Sequence, residues 1–158
     1  MTELLIPITG RGLTPHSASH WSFLLRSPLQ TYGDILHVQP ISLSPLWHQF
    51  DSREGVDISS LHAEGMVRIA AGLGPDERRK VVRIIRAEPA PRDGKGGSQK
   101  WVVDVLIALE VEELVRPGTA DLWGVCVGKS AGEVKRLISV KGGGGEWVDT
   151  RPAAKSHR

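Results

Sequence analysis

The sequence predicts an α+β domain in which an antiparallel β-sheet carries packed helices, and three stretches lead to that reading. Residues 20–39 read His-Trp-Ser-Phe-Leu-Leu-Arg, a polar turn, then Gly-Asp-Ile-Leu-His-Val-Gln. Aromatic and branched residues on either side of Pro28 and Gly33 describe two strands. The connection between them suits a hairpin longer than the tight two-residue kind. Residues 75–86 and 98–115 instead repeat apolar side chains at helical spacing. The sheet is expected to rest on the 20–39 hairpin, with the 98–115 helix against it and the 75–86 helix alongside. Trp21 and Trp101 should then be buried where strand and helix meet.

A chain of 158 residues is by default one domain. It is expected to span residues 1–141, followed by a flexible tail over 142–158. Leu4-Leu5-Ile6-Pro7-Ile8 reads as an edge strand, because Pro7 denies a ladder its donor. Residues 9–19 are turn-rich, with His16 solvated. After the hairpin, residues 46–50 alternate as a short strand would, and His48 is expected at the surface. Residues 51–64 are polar and without period, so a loop with some helical turn is expected. Residues 66–71 make a further strand.

In the first helix Pro75 suits the opening turn, Asp76 and Glu77 complement the positive end of the dipole, and Val81, Val82 and Ile85 face inward. Its basic residues, Arg78, Arg79, Lys80, Arg83 and Arg86, read as a solvated face. Residues 90–97 form a mobile loop rich in Gly and charge. In the second helix Trp101, Val102, Val105, Leu106, Leu109 and Leu114 line one side, and Pro117-Gly118 ends it. Residues 122–127 are apolar enough for a strand or buried turn, and 133–140 for a short helix. The glycine run at 142–145 reads as a hinge, and Trp147 offers the tail a means of docking.

Composition excludes several classes. A net charge of +2 is too small to argue for a nucleic-acid partner. Cys126 is the only cysteine, so no intramolecular disulfide forms, and its apolar Gly-Val-Cys-Val-Gly setting points to an inert, buried thiol. There is no basic region leading into a long apolar run, and no segment approaches the roughly 18 apolar residues of a membrane span. A soluble, cytoplasmic protein is expected. His20 and His37 lack further ligands at zinc spacing, and the glycine run lacks the lysine of a phosphate-binding loop. No metal or cofactor is expected.

The candidate chemistry lies where Gly96-Gly97-Ser98-Gln99-Lys100-Trp101 opens the second helix. A helix start presents unpaired N–H groups and the positive end of the macrodipole, so an anion formed there is stabilised. An imidazole on a neighbouring strand could take a proton from a nucleophile so placed, with a second polar side chain orienting it. Antiparallel pairing would bring His20, at the start of one strand, beside His37, near the end of the next. Each residue also has a plain reading. Ser98 is a good N-cap residue, His20 could simply begin a strand, His37 could be a satisfied core or edge histidine, and Gln99 a first-turn polar residue whose amide lines the cleft.

His-Trp before an apolar strand, then Gly-Asp-Ile-Leu-His-Val, then a helix opened by a small residue and Gln, resembles the circularly permuted papain-like superfamily. Its members include the lecithin:retinol acyltransferase-type enzymes, and related fungal proteins are more similar still. The match covers residues 20–39 and 98–114. The resemblance implies a permuted papain-like fold, His20 as general base, His37 as orienting residue and Ser98 at the nucleophile position. In that family the nucleophile is cysteine, and a serine hydroxyl must lose its proton during attack where a thiol is already partly ionised. A natural pseudoenzyme, a working serine variant and an engineered Cys→Ser form all fit. The expectation is a degenerate hydrolase or acyltransferase, weakly active or inactive on amides or esters, with Ser98 Oγ in hydrogen-bond reach of His20. The alternative is a non-catalytic module that holds a peptide or small molecule in the same cleft.

Overall fold

The computed structural model describes residues 1–150. Its strands are β1 (Thr2–Thr9), β2 (His20–Trp21), β3 (Phe23–Arg26), β4 (Tyr32–Leu43), β5 (Leu46–Asp57), β6 (Ala63–Leu73) and β7 (Glu146–Val148). Its helices are α1 (Pro75–Ala87), α2 (Ser98–Val111), α3 (Thr119–Cys126) and α4 (Ala131–Lys141). The strands form one sheet in the order β5-β4-β3-β1-β6-β7, with β2 also on β1, and every pairing is antiparallel. This is the α+β architecture expected.

The predicted 20–39 hairpin is present, with Phe23 opposite Leu36 and Leu25 opposite Asp34. Its first strand is broken at Ser22: β2 stays on β1, and β3 bridges β1 and β4. β1, expected at an edge, is central, paired with β2 and β3 on one side and β6 on the other, and the break accommodates its proline. Pro7 lies across from Ser22, whose N–H bonds its carbonyl at 3.4 Å, so the missing proline donor falls where the ladder is already interrupted. The polar stretch after residue 50 is strand rather than loop. Among the described residues β5 pairs only with β4, and an edge strand can carry charge on both faces without a hydrophobic period.

The main core lies between the sheet and the helices. Leu4, Ile6 and Ile8 of β1 meet Trp101, Val105 and Leu109 of α2, all fully buried or nearly so. Trp21 and Trp101 are buried as expected; Trp21 meets Trp123 edge to face at 5.0 Å, and Phe23 meets Trp101 at 5.6 Å. On the opposite face a smaller cluster, Leu5, Leu24, Ile35, Ile58 and Met66, is covered by the 3-10 turn Ile58–Leu61. In α1, Glu77 reaches back to the Gly74 N–H at 3.2 Å, and Val81 and Ile85 are buried. Residues 119–126 form a helix where a strand or buried turn was expected. The segment is short and apolar at most positions, so periodicity alone does not separate the two.

The reading of residues 142–158 as a flexible tail is corrected over its first part, while residues 151–158 lie outside the described chain. β7 pairs with β6, Trp147 opposite Val67, and a Cβ on Gly65 would run into the Trp147 ring. The glycine run is also held: Trp123 Nε1 donates to the Gly144 carbonyl at 3.0 Å.

Across the sheet runs a ladder of charges. Glu3 on β1, 2% exposed, accepts from Arg26 Nε on β3 and Arg68 Nε on β6, each at 2.8 Å. Arg68 reaches on to Glu146 of β7 at 2.7 Å. Removing the carboxylate strands two guanidinium groups in a partly dry setting. We expect Glu3→Ala to cost about 3 kcal/mol, read as a lowered urea midpoint, against less than about 1 kcal/mol for Arg79→Ala on the exposed face of α1.

Candidate functional site

The start of α2 is fastened to the strand break. Gln99, 8% exposed, donates from Nε2 to the Ser19 carbonyl at 2.9 Å and accepts at Oε1 from the Gly128 N–H at 2.8 Å. Ser98 Oγ accepts from the Trp21 N–H at 3.2 Å. The first turn of α2 is thereby held to β2 and the residue before it on one side and to the loop after α3 on the other. Gln99 lines the cleft, but both ends of its amide are engaged. Ser98 is the first residue of the helix rather than its N-cap. Gly97 takes the cap position and no side chain caps the helix there.

The two histidines predicted to be neighbours are so. His20 Nε2 lies 3.0 Å from His37 Nδ1, and the rings meet edge-on. His37 Nε2 in turn lies 3.2 Å from Asp51 Oδ2, which Arg53 Nε also contacts at 3.1 Å. A carboxylate only accepts, so a neutral His37 carries its proton on Nε2 and leaves Nδ1 bare. His20 then donates through Nε2, and its own Nδ1 keeps a free lone pair. The His37 hydrogen bond holds the Asp51 carboxyl below its usual range, with Arg53 adding to the effect. Burial, followed by the neighbouring His37 and His48, lowers the His20 pKa to about 4, so this imidazole is neutral at pH 7.

Asp51 is the member that sequence reasoning missed, since it fell in a segment read as a loop. The β4–β5 register sets it opposite His37. Taking Ser44-Pro45 as the turn of a long hairpin and counting outward would have set Ser52 opposite His37; the register shift between Pro40 and Ser42 is what brings Asp51 there.

Beside these residues opens a groove of about 910 Å³, lined among others by His20, His48, Ser98, Gln99, Val103 and Val127. His20 and Ser98 share this groove, but no hydrogen bond joins Ser98 Oγ to His20. The hydroxyl bonds the backbone of the next residue, Trp21, in place of the expected imidazole. His48 was expected at the surface and is only 5% exposed. The loop before α2 folds over it, with the His48 N–H bonded to the Pro91 carbonyl at 2.9 Å.

Among the described residues no cluster of three or more His, Cys, Asp or Glu side chains is placed to hold a metal ion, and no helix is long and apolar enough to cross a membrane. Cys126 is buried, and burial pushes its thiol up to about 11. No family model matches the chain, and no curated protein or solved structure matches it.

The lowered His20 pKa has a consequence for stability. An unfolded chain takes up this proton near pH 6.5, whereas the folded one resists it until about pH 4. Stability is therefore lost as pH falls through that window, by about 2–3 kcal/mol from this group. Proton NMR should place the His20 ring midpoint near 4, and His20→Phe should flatten the pH 4 to 6.5 limb of urea stability. A midpoint near 6.5 would remove the argument.

Proposed function

We propose that the groove is a degenerate acyl-transfer site of the permuted papain-like type. One observation carries this reading: the Asp51–His37–His20 chain leaves a bare nitrogen on His20, a residue that lines the same groove as the side chain at the start of a long helix. In an active form the nucleophile at position 98 attacks an ester or amide carbonyl and its proton passes to His20 Nδ1. The collapsing tetrahedral species then expels the alcohol or amine, which takes that proton. Water releases the acyl group in a second round.

Three features support a site with little or no turnover. The residue is serine, whose hydroxyl must be deprotonated in the act of attack. His20 with a pKa of about 4 is a weak base at neutral pH. Ser98 Oγ is engaged by the Trp21 N–H and is not hydrogen-bonded to the imidazole. This last feature also favours the second reading, in which the groove holds a peptide or small molecule without chemistry.

Replacing Ser98 by cysteine separates the two. In Ser98→Cys an iodoacetamide-type probe should alkylate residue 98 at neutral pH, and adding His20→Ala should slow that reaction about 100-fold. Cys126 provides an internal reference that stays unlabelled until the protein unfolds. The unaltered chain should react with a fluorophosphonate slowly or not at all. Alkylation at the rate of a free thiol, indifferent to His20, would leave only the binding module. Rapid, His20-dependent labelling of Ser98 itself would make the protein a working serine enzyme.

A further inference from the structure

His48 is a buried imidazole with no hydrogen-bond partner among the described residues. Its Nδ1 is fully enclosed and makes no hydrogen bond. An enclosed N–H without an acceptor is rarer in folded proteins than an acceptor left partly unsatisfied. The proton therefore belongs on Nε2, which lies 3.9 Å from where a Cβ of Gly97 would stand, at the mouth of α2. At that mouth the backbone N–H groups of residues 97–100 have no acceptor among the described residues. Gly97 has no side chain, the helix carries no side-chain cap, and the first intrahelical bond is made by the Trp101 N–H. The nearby carboxylates are occupied: Asp93 accepts from the N–H groups of Lys95 and Gly96 at 2.9 and 2.8 Å, and Asp104 holds Lys100 at 3.0 Å. A 14-residue helix thus opens uncapped into the groove with an imidazole N–H beside it.

We infer that His48 Nε2–H and the free N–H groups of the first turn of α2 form a subsite for a carboxylate-type oxyanion. In an acyl-transfer site this is where the charged carbonyl oxygen, or the carboxylate of a released acyl product, is held. The choice of ligand rests on the function proposed above; the anion subsite itself does not need turnover. His48 is then a substrate-contacting residue in the lining of the groove that also holds His20 and Ser98.

Acetate is the probe. In an amide-correlation NMR titration at ionic strength fixed with chloride, acetate should shift the Ser98, Gln99 and Lys100 amides and the His48 ring together, and saturably. His48→Phe should weaken acetate roughly tenfold or more, the loss of one charge-assisted hydrogen bond. His48→Gln, which can place an amide N–H near the position of Nε2, should recover much of it and guards against a folding effect. Shifts that fail to saturate, or equal affinity in His48→Phe and the unaltered chain, overturn the subsite. Saturable acetate binding lost in His48→Phe sustains it, even where Ser98→Cys proves unreactive and the acyl-transfer reading falls. A reactive Ser98→Cys without acetate binding sinks the subsite and leaves the acyl-transfer reading standing.

Discussion

The candidate site depends on the clamp made by Gln99. One side chain joins the backbone before β2 to the backbone after α3, and it does so from the first turn of α2. Buried amides are expensive to leave unpaired, so both contacts must form together. The result fixes the start of the helix against residues 19–21, and with it the distance between Ser98 and His20. The interruption at Ser22 is part of the same device. An unbroken strand would carry its ladder past Pro7, which has no donor to give; the break lets β2 stay on β1 while β3 crosses to β4.

The electrostatics of the histidine chain pull in two directions. Asp51 at its outer end orients His37, and His37 orients His20, so the tautomers are set from a carboxylate that faces solvent. Yet the same burial that organises His20 penalises its charged form, and two further histidines nearby add to that penalty. Orientation and basicity are separate properties here. A group can be aimed well and still hold a proton poorly, which suits a partner that ionises easily and handicaps one that does not.

Much of this was legible in the sequence, for reasons that can be named. Helices α1 and α2 declare themselves because one face of each is buried, which forces period 3.6, and the β3–β4 hairpin does so through its aromatic and branched composition, since both of its faces are covered. The pairing of His20 with His37 followed from antiparallel geometry alone. Where burial did not impose a pattern, the reading failed. β5 is an edge strand, so Asp51 looked like loop; α3 is apolar on most positions, so its period was hidden. His48 looked exposed because its cover is the loop before α2, a contact between segments that no local window contains. Ser98 was read as the nucleophile position, with a helix cap as the plain alternative; Gly97 holds the cap position and the serine bonds Trp21.

The charge ladder through Glu3 has a consequence for how the sheet is completed. Arg68 and Glu146 are 78 positions apart, and all four helices lie between them. Until β7 arrives, β6 is an open margin whose outer N–H and C=O groups are offered to any extended strand nearby. A chain shortened just beyond α4 would retain nearly all of the core and both histidines of the relay. It would also keep that margin permanently bare, and its most ready way to cover it is a second shortened chain laid edge to edge.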